Sequence, residues 1–375
     1  MDTLRDNPEV VWGFLVALGV VLLLTPGVGR FARILGVVDQ PGETRRVHTH
    51  PVPSLGGIAL LLGIFVPALA FLALDGPFRG ILLGAAIATT VGAIDDFRGL
   101  PWWAKLAGQL SAAGVAVGFG VTVDRFTFPG FGSQELPEWA AGAATLIWVV
   151  AIMNMVNFLD GMDGLASGIC AIAGSTFAVI GLSLGAPDAA LLAAIVAGAC
   201  FGFLRHNFYP ARIFMGDSGA LLLGFLLATL AVEGLVKTAA LATLVLPLLV
   251  LAIPIIDTSF VFAKRLKYKQ PLYEADRTHL HHRFMNIGFS QARAVAYMYG
   301  WCVLLAAAAL ATRFLPPRPR GDWDLSNSLV AGGVALAALA ASVYIAYLLE
   351  IIKLANPRLR RRGEQAQAEA QRRSA

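Results

Sequence analysis

Residues 154–165 read NMVNFLDGMDGL and place four polar side chains at three-residue intervals where an apolar run ends. These side chains are Asn154, Asn157, Asp160 and Asp163. A polar group in hydrocarbon without partners is costly, and ionisable residues at membrane depth usually mark a site or a pathway. The doubled Asp-Gly is also typical of a solvated turn, which suits the two aspartates better than the two asparagines. Its glycines permit a break in the helix that would aim the four side chains together.

The composition around this stretch predicts a membrane protein. Of 375 residues, 57% are hydrophobic and 14% are charged, against about 45–50% and about 25% in soluble domains. We therefore expect an all-α polytopic fold of eleven transmembrane helices, with ten as the alternative count, because each apolar stretch has close to the ~20 residues that a bilayer requires. The predicted spans are 10–25, 54–74, 79–94, 103–121, 138–156, 165–184, 188–204, 218–236, 239–257, 291–312 and 326–349. We expect the first span, 10–25, to be a membrane anchor and not a signal peptide that is removed.

The distribution of basic residues predicts the orientation. Roughly three quarters of the 29 Lys and Arg residues fall in alternate segments, which the positive-inside rule assigns to the cytoplasm. The N-terminus is then outside, the C-terminus is cytoplasmic, and a small outer β-hairpin is expected near 121–128. The cytoplasmic loops are 26–53, 95–102, 157–164, 205–217 and 258–290. Residues 1–352 form one integral membrane domain, and 353–375 form a basic, disordered tail. No other feature supports a nucleic-acid partner.

Acidic residues at predicted span ends are the first candidates for chemistry. Asp95 and Asp96 stand at a helix C-terminus, where the helix dipole disfavours carboxylates, so a metal or a base such as Lys105 is the expected partner. The alternative is a loop of exposed acids. Asp217 precedes an apolar run, where it or Ser218 would be a good N-cap, but a hard cation would also take its carboxylate.

Two basic segments complete the set. Residues 45–51, RRVHTHP, hold Arg45 and His48, which could contact a phosphate or serve as interfacial anchors; taken alone, the segment favours the anchors. Residues 279–283, HLHHR, concentrate three histidines and an arginine. Their spacing matches no usual zinc pattern, so hydrogen bonds to phosphate or sugar oxygens explain them better. A plain polar loop is the simpler alternative.

The predicted topology brings all these candidates to the cytoplasmic face of the membrane. Carboxylates, amides, histidines and arginines together are typical of a magnesium–phosphate site. The cationic groups suit an anionic substrate, and the apolar body suits a lipid. A different class, an ion-coupled secondary transporter, stays open, although transport sites usually lie near the middle of the membrane.

Five motifs in order resemble the polyprenyl-phosphate N-acetylhexosamine-1-phosphate transferases, glycosyltransferase family 4. The resemblance covers residues from about 40 to 290 and rests on Arg45 with His48, Pro53 and Gly56-Gly57, on Asp95-Asp96, on 154–165, on Gly216-Asp-Ser-Gly219 and on HLHHR. The last motif resembles the bacterial undecaprenyl-phosphate N-acetylglucosamine-1-phosphate branch. The branch that handles UDP-muramoyl-pentapeptide carries a three-histidine run, so Arg283 makes that peptidoglycan role the runner-up.

The resemblance implies transfer of N-acetylglucosamine-1-phosphate from UDP-GlcNAc to undecaprenyl phosphate with release of UMP, the first membrane step of a cell-envelope polysaccharide such as lipopolysaccharide or teichoic acid. It implies a multi-pass protein of the bacterial inner membrane with the active site facing the cytoplasm, and a homodimer. Mg²⁺, or Mn²⁺ in its place, would bind Asp217 and Asn157, and Asp95 and Asp96 would be catalytic. Substrate contacts would come from Asp160, Asp163, His279, His281, His282, Arg283, Lys105, Arg45 and His48.

Overall fold

The computed structural model describes residues 2–40, 51–128, 132–236, 245–268, 280–317 and 323–349. Almost all of this part of the chain is helical. Its helices are α1 (Asp2–Arg5), α2 (Pro8–Ile34), α3 (Gly56–Phe71), α4 (Gly76–Arg98), α5 (Trp102–Gly118), α6 (Glu138–Leu159), α7 (Leu165–Ser183), α8 (Pro187–Asn207), α9 (Gly216–Leu230), α10 (Val245–Val250), α11 (Ala252–Tyr268), α12 (Leu280–Asn286), α13 (Gln291–Phe314) and α14 (Leu325–Leu348). A short π-helical segment, Ala231–Val236, continues α9.

Two short antiparallel pairs of strands interrupt the helices. β1 (Val38–Asp39) pairs with β2 (Val52–Pro53), and β3 (Arg125–Phe128) pairs with β4 (Gly132–Glu135). The expected range 121–128 therefore covers only the first strand of the second pair. At the end of β2, the Pro53 carbonyl accepts the backbone N–H of Phe214 at 2.9 Å. This contact draws the segment after α2 towards the start of α9.

The described helices support a polytopic membrane protein. A helix lies at each of the eleven predicted spans, and eight of these helices (α2, α4, α6, α7, α8, α9 with its π-helical extension, α13 and α14) are long and apolar enough to cross a membrane. Helix α3 is apolar but has only 16 residues. The span predicted at 239–257 is broken, because α10 ends at Val250 and α11 begins at Ala252. Pro247 and Pro254, which flank the break, explain it.

Helix α9 lies at the centre of the bundle. In its apolar stretch, 83% of the residues are buried, against 11% in α14, whose apolar surface remains exposed. Helices α4 and α6 pack on α9. At Gly92 a Cβ would lie 2.5 Å from the backbone of Asp217, so only glycine allows α4 this close to the start of α9. The C-terminal ends of α4 and α6 therefore meet the N-terminal end of α9.

Two helices extend about ten residues beyond the predicted spans. Helix α2 continues past residue 25 to Ile34, and α11 continues past Asp257 to Tyr268. Asp257, the last residue of a predicted span, is therefore buried within a helix, and its Oδ1 accepts the backbone N–H of Leu280 at 2.7 Å. Polar residues were read as span ends, but a buried carboxylate with a partner is compatible with a continuing helix.

Candidate active site

Four helix ends place a lysine among three oxygen-bearing side chains. Lys105, in the first turn of α5, lies with its Nζ 3.0 Å from Oδ2 of Asp95 at the end of α4. The same ammonium donates to Oδ1 of Asn157 at 3.3 Å and forms an ion pair with Asp217 near the start of α9. The prediction that Lys105 is the partner of the acidic pair is therefore confirmed for Asp95. Three side-chain oxygens from three helices converge on one cationic group.

The two residues expected to bind metal are in direct contact. Asn157 Nδ2 donates to Oδ1 of Asp217 at 2.7 Å, which ties the end of α6 to the start of α9. The side chains of Lys105, Asp95 and Asp217 are 19%, 14% and 28% exposed, so the cluster is shielded yet reachable from solvent. Electrostatic interactions in such a partly buried setting are stronger than on an open surface.

Asp96 holds the first turn of α9. Its Oδ1 accepts the backbone N–H of Asp217 at 2.8 Å, and its Oδ2 accepts the N–H of Ser218 at 3.1 Å and the Ser218 hydroxyl at 2.8 Å. The expectation that Asp217 or Ser218 caps this helix is wrong, because α9 begins at Gly216 and a carboxylate from α4 satisfies its first N–H groups. Gly216 has φ +69°, and a Cβ there would lie 2.4 Å from the Asp96 carboxylate.

The loop between α6 and α7 is joined to the loop after α8. Gly164, with φ +78°, provides the predicted break in the chain. Its N–H donates to Oδ1 of the buried Asn207 at 3.1 Å, and Asn207 Nδ2 donates to the Ile213 carbonyl at 3.0 Å. Asp163 accepts the N–H of Ala211 through Oδ2 at 2.8 Å. Asp163 therefore has a backbone partner, and both loops are fixed beside the lysine-centred cluster.

A polar cleft of about 500 Å³ opens at these loops. Its wall contains acids and amides from six segments: Asp39, Gln40, Asp96, Asn157, Asp160, Asp163, Asn207, Asp217 and Gln291. The pKa of Asp160 is raised to about 8, first by burial and then by the negative charges of Asp217, Asp96 and Asp163. The acids of three predicted inner segments, Asp96, Asp160 with Asp163, and Asp217, therefore converge as predicted.

An apolar groove of about 940 Å³ also borders α6. Leu110 of α5, Ile147 and Phe158 of α6, and Phe262 of α11 contribute to its lining. Asn154 also reaches this groove, where it exchanges hydrogen bonds with Gln109 at 2.7 and 3.2 Å. Asn154 therefore joins α6 to α5. The C-terminal part of α6 thus contributes both to the polar cleft, which Asn157 lines, and to the apolar groove.

The structure does not bring Arg283 into the cleft. Its guanidinium donates to the Leu349 carbonyl at 2.9 Å and lies 4.5 Å from the centre of the Phe260 ring. In these contacts Arg283 joins α12 to α11 and to the end of α14. The predicted Arg45, His48 and His279 lie outside the described residues, and so do the side chains of His281 and His282.

The sequence prediction missed three residues that shape the cleft. Asn207 links two loops, Tyr299 of α13 donates its hydroxyl to the Gly164 carbonyl at 2.5 Å, and Gln291 lines the wall. Asn207 and Gln291 each lie at the end of an apolar run. The same position in the sequence identified Asn157 as a candidate, so it could also have identified these two residues. Tyr299 lies within a predicted span and has no comparable signal.

Comparisons with known proteins agree on one family. Residues 78–235 match the family model described as glycosyl transferase family 4. A Bacillus subtilis protein named probable undecaprenyl-phosphate N-acetylglucosaminyl 1-phosphate transferase is 38% identical over 305 residues, which cover 80% of this chain and 85% of the relative. A Mycobacterium tuberculosis decaprenyl-phosphate N-acetylglucosaminephosphotransferase is 35% identical over 355 residues, covering 87% and 88%.

The runner-up branch is also represented among the similar proteins. A phospho-N-acetylmuramoyl-pentapeptide-transferase of Heliobacterium modesticaldum is 33% identical over 331 residues, which cover 82% of this chain and 98% of the relative. Its identity is lower than the 38% of the Bacillus protein.

Proposed function

The chain belongs to glycosyl transferase family 4. We propose that it transfers N-acetylglucosamine-1-phosphate from UDP-GlcNAc to a polyprenyl phosphate and releases UMP. The proposed polyprenyl phosphate is undecaprenyl phosphate. The names of its more similar relatives support N-acetylglucosamine over the muramoyl-pentapeptide. Family membership also favours an enzyme over an ion-coupled transporter.

The observation that carries this proposal is that two unlike spaces border the C-terminal part of α6. Asn157 lines the polar cleft, while Asn154 and Phe158 line the apolar groove. A nucleotide-sugar suits the polar space, and a polyprenyl chain suits the apolar one. The reacting phosphates of the two substrates would then meet beside Lys105, Asp95 and Asp217.

The side chains around Lys105 fit a divalent cation. In the part of the chain that the structure describes, no three acidic, histidine or cysteine side chains form a ready metal cage. Mg²⁺ needs no such cage, because it is usually held by one or two carboxylates together with substrate phosphates and water. Asp217 and Asn157, with Asp95 beside them, supply hard oxygens that already surround a cationic group. When bound there, Mg²⁺ would neutralise phosphoryl oxygens.

The proposed reaction is a direct in-line displacement. An oxygen of the lipid phosphate forms a bond to the sugar-linked phosphorus, and the bond from that phosphorus to the UMP oxygen breaks. Since a phosphate monoester is mostly dianionic at neutral pH, no base is needed to remove its proton. In this scheme Lys105 binds phosphate oxygens and Asp95 orients Lys105. Asp96 acts through the backbone of α9 and is a positioning residue.

A covalent phospho-aspartyl intermediate is the alternative mechanism. The contacts of the two candidate carboxylates disfavour it, because Asp96 uses both oxygens at the first turn of α9. Asp95 accepts the Leu100 N–H at 2.5 Å through Oδ1 and pairs with Lys105 through Oδ2. Incubating the enzyme with labelled UMP and UDP-GlcNAc without lipid separates the mechanisms. Exchange of the label would rule out direct attack.

The substrate assignment is tested with a panel of UDP-sugars. Purified protein is incubated with undecaprenyl phosphate, Mg²⁺ and UDP-GlcNAc, UDP-GalNAc, UDP-glucose or UDP-muramoyl-pentapeptide, and the lipid-linked product is scored. We expect UDP-GlcNAc to give the most product. Product from the muramoyl-pentapeptide alone would move the chain to the peptidoglycan branch.

A further inference from the structure

Gln291 is a buried amide in the cleft wall to which the mechanism assigns no role. It is 8% exposed and lines the polar cleft together with Asp160 and Asp163. Within the described ranges no hydrogen bond joins its side chain to another residue, and its amide atoms are not among the fully buried polar atoms without a partner, so they are open to the cleft. A side chain that faces a cleft under these conditions is suited to bind a ligand.

The helix that carries Gln291 adds a second feature. Gln291 is the first residue of α13, a helix of 24 residues, and Ser290 before it makes no side-chain capping bond. The first N–H groups of a helix have no acceptor within the helix, and they give this end a partial positive charge. The cleft wall therefore has hydrogen-bond donors at the end of α13, while much of the remaining wall is acidic.

The position of Gln291 is fixed by packing on the acidic loop. Ala294, Val295 and Met298 of α13 are buried in one cluster with Met162 and Leu165. The Tyr299 hydroxyl donates to the Gly164 carbonyl of the same loop. Helix α13 and the loop that carries Asp160 and Asp163 are thus joined at two places. A ligand held by these acids would meet Gln291 without a movement of the backbone.

The chemistry of glutamine indicates which part of a ligand it would contact. Its amide presents a donor and an acceptor side by side and pairs in two-bond fashion with a carbonyl next to an N–H. We propose that Gln291, at the start of α13, is a specificity-determining residue that binds the amide-type group of the nucleotide-sugar. This inference rests on the proposed function. In UDP-GlcNAc the uracil ring carries such a side-by-side pair, while the N–H and C=O of the trans acetamido substituent point in opposite directions and can each take a single hydrogen bond.

Three variants test the assignment. Gln291→Leu removes both hydrogen-bonding groups, and Gln291→Glu keeps the shape but loses the donor. Arg293→Ala changes an exposed residue of the same turn and is the control. Steady-state kinetics with UDP-GlcNAc and UDP-glucose, and calorimetric binding of UMP, are compared with the wild type, and thermal unfolding in detergent verifies that each variant is folded.

Gln291→Leu is expected to lower kcat/KM for UDP-GlcNAc about tenfold, the factor for one lost hydrogen bond of ~1.4 kcal/mol, while Arg293→Ala has no effect. If the acetamido group is the ligand, the preference for UDP-GlcNAc over UDP-glucose falls and UMP affinity is unchanged. If uracil is the ligand, UMP affinity falls by the same factor. Unchanged kinetics and UMP affinity in folded Gln291→Leu would overturn the inference and leave the transferase intact. A wild type that binds UMP but uses no UDP-sugar would instead contradict the proposed function.

Discussion

The backbone N–H of Asp217 donates to Oδ1 of Asp96 at 2.8 Å, across 121 positions of sequence. This bond gives the two members of the Asp95-Asp96 pair different tasks. Asp96 fixes the first turn of α9, and Asp95 forms an ion pair with Lys105. Adjacent residues on a helix point in different directions, so an acidic pair can serve the fold and the chemistry at the same time.

Substitution of the two aspartates should therefore separate stability from turnover. Asp96→Ala removes the acceptor of three hydrogen bonds, each worth about 1.5–3 kcal/mol when one partner is charged, so we expect a clearly lower Tm and little activity. Asp95→Asn keeps the shape of a partly exposed side chain and should lower turnover at least about 100-fold with a smaller change in Tm. Thermal unfolding in detergent measures the Tm of each variant, and UMP release measures its turnover. Equal losses of Tm would show that the two residues share one structural role.

Asp160 should make stability depend on pH. Its pKa is about 8 in the folded chain, against 3.8 as the ordinary value. Between these values the folded chain binds more protons than the unfolded chain, so the free energy of unfolding decreases as the pH rises and becomes level above about 8. In Asp160→Asn the side chain cannot ionise, so this decrease in the free energy of unfolding is absent. Its advantage over the wild type in the free energy of unfolding, measured in EDTA, should grow between pH 5 and pH 8 by at most about 1.4 kcal/mol per pH unit.

The exposed Asp6→Asn variant is the control for this pH series and should follow the wild type. Added Mg²⁺ should reduce the advantage of Asp160→Asn, because a cation near Asp217 offsets the negative charge that raises the pKa of Asp160. Parallel Tm curves for Asp160→Asn and the wild type at all pH values would contradict this account.

Lys105 should compete with a divalent cation, because its ammonium contacts oxygens of Asp95, Asn157 and Asp217. Lys105→Met removes that ammonium and should tighten Mn²⁺ binding about tenfold, equivalent to ~1.4 kcal/mol, while it weakens polyprenyl phosphate binding. Electron paramagnetic resonance of Mn²⁺ measures the first effect independently of turnover. Arg98→Met, at the exposed end of α4, is the control. Weaker Mn²⁺ binding in Lys105→Met would mean that the lysine assists the metal.

The two ends of α4 should label from opposite sides of the membrane. Asp75 and Arg98 are exposed at its start and end, and the native Cys170, Cys200 and Cys302 are buried and should not react. In intact cells a membrane-impermeant maleimide should modify Asp75→Cys. It should modify Arg98→Cys only after the membrane is opened, because the cleft is proposed to face the cytoplasm. The reverse pattern would invert the orientation.

The sequence was sufficient for features that depend on local chemistry. Apolar stretches located the helices, and polar residues at their ends identified Asp95, Asn157, Asp160, Asp163 and Asp217, all of which the structure brings to one end of the bundle. The break between α10 and α11 follows from Pro247 and Pro254, whose effect on a helix is local.

Tertiary contacts decided what the sequence could not predict. The role of Asp96 depends on the close approach of α4 to α9 at Gly92, and that of Arg283 depends on where α12 packs. The partner of Asp257, the N–H of Leu280, comes from another helix and could not be predicted from the apolar pattern. In each case a polar residue has a function set by a distant segment, and hydrophobic patterning carries no information about that pairing.

The most direct test of the central claim follows the sugar-linked phosphorus. UDP-GlcNAc labelled with ³²P at that phosphorus is incubated with undecaprenyl phosphate, Mg²⁺ and purified protein, and the label is partitioned between lipid and water. For the wild type, we predict one label in the lipid fraction for each UMP released, and for folded Asp217→Asn we predict none. Release of UMP with the label left in water, or a lipid-linked sugar without the label, would contradict sugar-1-phosphate transfer.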